Sequence, residues 1–195
     1  MSDDDLAALL TEARACRLCA ASLPLGPRPV LRASPGCRLL IIGQAPGTRV
    51  HETGVPWNDR SGDRLRQWLA IEPEVFYDDR RIAIIPTGLC YPGRDPRGGD
   101  LPPRPECAPT WHPRLVPALT ELRLTLLVGI HAQAYVLGRR RKESMTDTVR
   151  AFREYLPDFL PLPHPSWRTT MWERRNPWFA EELLPELRRR VGALL

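Results

Sequence analysis

Short apolar runs alternate with helix-patterned stretches along most of this chain, and that alternation decides its architecture. "CRLLIIG" (37–43), "RIAIIPTGL" (81–89) and "RLTLLVGI" (123–130) are apolar almost without interruption, and "FLPLPHPSWR" (159–168) starts the same way before breaking into a loop. Runs of this kind read as strands buried on both faces, which is the habit of parallel sheets. Pro86 must sit at the end of its strand, because proline cannot donate to a central ladder. Between these runs, "SGDRLRQWLAI" reads as a helix capped by Ser61, with Leu65, Trp68 and Leu69 on one face. "WHPRLVPALTEL", "HAQAYVLG" and "TDTVRAFREYL" also read as helical. The chain closes on "NPWFAEELLPELRRRVGALL", with Asn176 as cap and Pro177 in the first turn. At the start, Asp3 to Asp5 lead a short amphipathic helix. The expected fold is α/β: a three-layer αβα sandwich around a mostly parallel central sheet, one domain over 1–195 with an N-terminal cysteine-bearing segment. Ligands of such folds bind at the carboxyl ends of the strands, so the loops after the first, second and last strands are the places to search.

Two segments do not fit the alternation. "CRLCAASLPLGPRPVLRASPG" is rich in proline and glycine, and residues 91–109, "YPGRDPRGGDLPPRPECAP", read as a long structureless loop. Loops of that length are usually functional or pinned by something. Each carries cysteines: Cys16 and Cys19 form a C-x2-C pair, and Cys90 and Cys107 bracket the second loop. Four thiolates meeting at one point could hold zinc or an iron–sulfur cluster; the alternative is small buried residues with no ligand. Cys37 opens a strand and reads as core.

No run approaches the length of a membrane span. The acidic "MSDDDLAALL" lacks the basic region of a signal peptide, so a cytoplasmic location is expected, with structural disulfides disfavoured there. The net charge is +5 and Lys142 is the only lysine, so the basic side is arginine. Arginine forks onto phosphate and stacks on bases, which fits a polyanion partner; a GC-rich genome would produce the same bias. Gly43 to Gly47 is no Walker loop, since no Gly-Lys-Ser/Thr follows.

Five segments, in order, resemble the uracil-DNA glycosylase superfamily, and most closely its iron–sulfur branch. "ACRLCAASLPLGPRPVL" is similar to the N-terminal cysteine segment of that branch, "IIGQAPG" to its first active-site motif, and "GVPWNDRSGDRL" to the stretch bearing a base-stacking aromatic. "IIPTGLCYPG…PPRPEC" resembles its strand-plus-cysteine loop and "LPHPSWR" its His-Pro-Ser loop. The resemblance implies that Cys16, Cys19, Cys90 and Cys107 ligate a 4Fe–4S cluster and that the partner is DNA carrying a damaged or deaminated base. A monomer with no membrane association is expected.

The resemblance also implies roles. Trp57 would stack on a flipped base. Beside it, Gly43, Gln44, Ala45, Pro46 and Gly47 would form the first loop of the pocket. His164 would donate a hydrogen bond to the base oxygen as charge develops there. Ser166, Trp167 and Arg168 would contact DNA, an aromatic wedge followed by an arginine suiting the minor groove, and Arg174 and Arg175 could add phosphate contacts. Two departures stand out. Gln44 and Ala45 occupy positions where relatives carry a carboxylate, so Gln44 can position a water but not take up charge, leaving Asp59 or Glu52 to substitute. Pro86 stands where relatives carry an edge-reading asparagine, leaving Asn58 or Thr87 to read an edge instead. The sequence therefore leads to a glycosylase acting on a deaminated base, with weak or altered specificity. The alternatives are a non-catalytic binder of damaged or uracil-containing DNA, and an iron–sulfur redox or nucleotide-binding protein.

Overall fold

The computed structural model of the chain describes residues 3–96 and 98–195. Four parallel strands form one sheet: β1 (Leu39–Ile42), β2 (Ile82–Ile84), β3 (Leu124–Val128) and β4 (Phe159–Leu162), in the order β2-β1-β3-β4. The register sets Leu40 beside Ala83 and Thr125, and Leu127 beside Pro161. The helices are α1 (Asp3–Arg14), α2 (Thr48–Thr53), α3 (Arg60–Leu69), α4 (Pro73–Phe76), α5 (Cys107–Leu115), α6 (Ile130–Leu137), α7 (Met145–Arg150), α8 (Thr169–Arg175) and α9 (Leu184–Leu194).

The three layers follow from the period of two along each strand. Leu40, Ile42, Ala83 and Leu127 face one cluster with Leu6 and Leu10 of α1, Trp111 and Leu115 of α5, and Leu137 of α6. Leu39, Ile41, Ile84 and Leu126 face the other, with Leu65, Trp68 and Leu69 of α3, Val149 of α7, and Leu187 and Val191 of α9. Both faces of the sheet are dry, which is why the strands carry no alternating polar residues. Cys37 belongs to the first cluster, where its thiol donates to the Asp79 carbonyl at 2.6 Å.

Several boundaries differ from expectation. The cap of α3 is Asp59, whose Oδ1 accepts the Gly62 N–H at 2.8 Å, so the helix begins before Ser61. Asn176 closes α8 rather than opening the last helix, and a π-helical turn over Phe179–Leu183 precedes α9. The stretch over 91–109 is not structureless. The Leu101 N–H donates to Gly93 O and the Asp95 N–H to Gly99 O, both at 2.9 Å, and Arg94 bridges Asp100 antiparallel, making a small hairpin. Its local pairing was hidden by proline and glycine content that reads as loop. Pro86 follows β2 outside the ladder, as its chemistry demands. Among the described residues, no helix is long and apolar enough to cross a membrane.

Candidate active site

A cavity of about 130 Å³ opens at the carboxyl ends of β1, β2 and β4. Its floor is the loop after β1, where Gly43, Gln44, Ala45, Pro46 and Gly47 all reach it. That loop is fixed by its backbone. Gly43 O accepts from the Thr87 N–H at 3.0 Å, and Gln44 O accepts from the Gly88 N–H and the Thr87 hydroxyl, both at 2.7 Å. Thr87 is thus a buried staple, and neither it nor Asn58 lines the cavity. Glu52, within α2, does not line it either.

Trp57 forms one wall, half-buried and leaning on the second core cluster. Its φ of 56° lies in the left-handed region, which a bulky residue adopts only when its surroundings impose it. Four contacts impose it here. The Trp57 carbonyl accepts from Arg66 Nη1 and from the Tyr77 hydroxyl, each at 3.3 Å. A Cβ on Gly62 would lie 1.7 Å from that carbonyl oxygen, so the α3 backbone can pass only as glycine. A Cβ on Gly43 would lie 2.9 Å from Trp57 Cζ2, so the edge of the indole abuts bare backbone. Trp57 is thus a wall of the cavity with its edge packed.

His164, in the loop after β4, faces Trp57 with ring centroids 5.8 Å apart and planes 33° from parallel. The Ser166 N–H and the Thr169 hydroxyl both donate to the His164 carbonyl, which fixes the turn. Loss of water around the imidazole lowers its pKa, the Asp59 charge opposes this, and His131 on the first turn of α6 reinforces it. His164 is therefore a neutral ring at neutral pH, able to donate one N–H. His131, itself lowered by burial, went unnoticed in the sequence because only the fold brings it near His164.

Two carboxylates reach the cavity. Asp59 lines it while capping α3. Asp100 arrives from the hairpin, with Oδ2 3.3 Å from where a Gly47 Cβ would be. Asp100 as a residue is exposed, yet its carboxyl faces the cavity walls, and desolvation raises its pKa, with Arg94 opposing and Asp59 adding to the rise. Sequence reasoning missed it, since nothing local in "RGGDL" says where that side chain ends. Behind the cavity, buried His112 donates from Nε2 to the Pro86 carbonyl at 3.0 Å.

Beside the cavity, Arg64 ties the loop after β4 to α3 and α8, donating to Ser166 O at 3.0 Å and to Glu173 at 2.8 Å. From this braced loop Trp167 projects, 79% exposed, with the Arg168 guanidinium 5.6 Å from its ring centroid.

A second, smaller cavity of about 20 Å³ is lined by Cys16, Cys19, Cys90 and Cys107 together. Among the described residues no three side chains stand ready in a metal-holding arrangement. The donor set nonetheless suits a cationic cluster. Burial pushes Cys107 up to about 12 and Cys90 up to about 11, with neighbouring thiols raising both, so either sulfur would become a thiolate only with positive charge opposite it. The Leu89 N–H donates to Cys107 Sγ at 3.2 Å, a bond that suits a charged sulfur.

The fold and cavity define an α/β protein with an aromatic-walled, acid-bearing cavity at the carboxyl ends of a parallel sheet. A family model, the uracil DNA glycosylase superfamily, matches residues 32–188, and the chain belongs to that superfamily. Its members are in general DNA N-glycosylases of repair, so a DNA glycosylase-like function and DNA as partner follow. Cys90 and Cys107 fall within the match, whereas Cys16 and Cys19 precede it.

Proposed function

We propose that this protein binds a flipped, deaminated base in DNA and hydrolyses its N-glycosidic bond. The observation that carries the reading is one cavity lined by both the Trp57 indole and His164, with Trp57 held in a left-handed backbone conformation, within a glycosylase fold. Extrusion of a base costs stacking and pairing energy. Stacking on Trp57 returns about 1–3 kcal/mol of it. Trp167 and Arg168, exposed on a braced loop, suit a wedge that holds the duplex open. As the bond to C1′ breaks, the base gains negative charge on its oxygens. The neutral His164 ring donates a hydrogen bond that strengthens with that charge and needs no reorganisation at the moment of reaction. Gln44, a residue of the floor loop, can orient a water by hydrogen bonding. Without an asparagine at position 86, base discrimination falls to the remaining polar groups of the cavity, which favours a relaxed choice among deaminated bases.

The same reading takes Cys16, Cys19, Cys90 and Cys107 as ligands of a 4Fe–4S cluster, supported by their sharing one cavity and by the Leu89 N–H aimed at Cys107. When bound, such a cluster supplies four iron–thiolate bonds that tie the N-terminal segment to the loop after β2.

A non-catalytic binder is favoured by one observation, the absence of a carboxylate in the floor loop itself. Single-turnover cleavage of oligonucleotides containing uracil, hypoxanthine or xanthine, in single and double strands, decides between the two. Base release is expected from at least one of them. Trp57→Ala should slow it about 10- to 100-fold and His164→Ala about 100-fold or more. Tight, salt-dependent binding with no release in any substrate would establish the binder instead.

A further inference from the structure

We propose that Asp100, carried into the cavity from the hairpin after β2, is the catalytic carboxylate of this protein and takes the proton of the attacking water. The proposal rests on the glycosylase reading above.

The need is chemical. Cleavage of an N-glycosidic bond leaves cationic character on the sugar and requires a water placed below it. A carboxylate serves both needs, and none stands in the floor loop, where Gln44 and Ala45 occupy the turn. The cavity nevertheless holds two acids from other elements, Asp59 and Asp100.

Their surroundings separate them. Asp59 is committed: its Oδ1 accepts the Gly62 N–H at 2.8 Å, and in doing so it caps α3 and fixes the turn that carries Trp57. Asp100 is uncommitted, since its carboxylate has no hydrogen-bond partner among the described residues. Its position is nevertheless defined. Arg94 and Asp100 pair across the hairpin, the Leu101 N–H donates to Gly93 O at 2.9 Å, and Oδ2 rests over Gly47, where any side chain would crowd it. Gly47 at the end of the floor loop is thus the cradle for an acid delivered from elsewhere. Partial desolvation and the nearby Asp59 charge also make Asp100 a stronger base than an ordinary aspartate.

In the step itself, the water oxygen bonds to C1′ as the C1′–N bond breaks. One water proton passes to the Asp100 carboxylate, and the bonding pair leaves with the base, whose oxygen accepts the His164 hydrogen bond. The proton on Asp100 then passes through solvent to the departed base. The products are an abasic sugar bearing a 1′-hydroxyl and the neutral free base.

The test is single-turnover base release by full-length protein on whichever of the uracil, hypoxanthine and xanthine oligonucleotides the wild type cuts. DNA affinity is measured alongside by fluorescence anisotropy. Asp100→Asn should lower the rate about 100-fold or more with unchanged affinity. Asp100→Glu should retain more activity than Asp100→Asn, and added formate should partly restore Asp100→Ala. A wild type that cuts one of these substrates, with Asp100→Asn within a few-fold of it, would overturn the role of Asp100 and leave the glycosylase reading standing. Loss of rate together with loss of affinity, unrescued by formate, would also overturn it, as a structural effect. A wild type that releases no base from any of the three would overturn both.

Discussion

The two cavities at this end of the sheet differ in what holds their walls. The larger is walled by strand ends and by the turns that leave them. Gly43 and Gln44 are bonded by backbone to Thr87 and Gly88, and the Trp57 carbonyl is held from two sides. The smaller is walled by the segment before β1, which meets the sheet through the antiparallel Arg32–Ile84 bridge, and by the loop after β2. The segment before β1 is tied by Arg32 N–H to Ile84 O at 2.9 Å, Ile84 N–H to Arg32 O at 2.7 Å and Val30 N–H to Leu89 O at 2.7 Å, and the loop after β2 by Leu89 N–H to Cys107 Sγ at 3.2 Å. The first cavity is therefore preformed by the fold. The second brings four thiols to one cavity, and among the described residues no three of them stand in a metal-holding arrangement.

Cys90→Ser tests that distinction where the effect should be largest. If a cluster completes the smaller cavity, the purified wild type carries about four irons per chain with visible absorbance, and the variant loses most of both. A ligand bound only by the native state stabilises it by mass action. A loss of about 4 kcal/mol would lower the melting temperature by about 10 °C in a chain of this size. A colourless wild type purified anaerobically, with Cys90→Ser melting at the same temperature, would remove the cluster and with it the contrast between the cavities.

Gly62→Ala probes the other side of the comparison. A methyl 1.7 Å from the Trp57 carbonyl cannot be accommodated without moving backbone, because both atoms belong to rigid main chain. The cost should be about 3 kcal/mol, in the upper part of the range for single substitutions, read as a shifted urea midpoint. Base release should fall as Trp57 leaves its left-handed conformation. A stable, fully active Gly62→Ala would mean that the Trp57 wall is not fixed by this turn.

The same contrast explains what could be read from the chain. The strands, their parallel pairing and the loops that carry Trp57 and His164 are local: a dry apolar run, a glycine turn and a proline-flanked histidine announce themselves. Asp59 was legible as a site candidate, yet its role as the cap of α3 was assigned to Ser61, because Asp and Ser two positions apart are both good caps and only the backbone decides between them. Asp100 and His131 were not legible. Each arrives through a tertiary path, Asp100 into the cavity along a hairpin disguised by proline and glycine, His131 to the side of His164 across the β3–α6 turn, where a Cβ on Gly129 would lie 3.4 Å from His164 Cβ. The four cysteines could be grouped by resemblance, but their sharing of one cavity is a property of the fold.

The smallest expected effect concerns the brace behind the larger cavity. His112 is buried, and its Nε2 donates to the Pro86 carbonyl at 3.0 Å. Desolvation lowers its pKa from the ordinary 6.5, and the Pro86 contact only partly opposes this. The unfolded chain therefore binds a proton on His112 as pH falls through the ordinary histidine value, while the folded chain does not. Stability is full above that value and declines on acidification until the lowered folded pKa is reached, with a slope of at most about 1.4 kcal/mol per pH unit for one proton. His131 and His164, both lowered by burial, act in the same direction. His112→Gln keeps an N–H for the Pro86 carbonyl and removes one titrating group. Its urea midpoint should consequently fall less between about pH 7.5 and about pH 5 than that of the wild type, without vanishing. An identical fall in both proteins would mean that His112 takes up its proton inside the fold as readily as outside it. The brace would then have to give way as it does so, because a charged ring cannot stay dry against the core it fills.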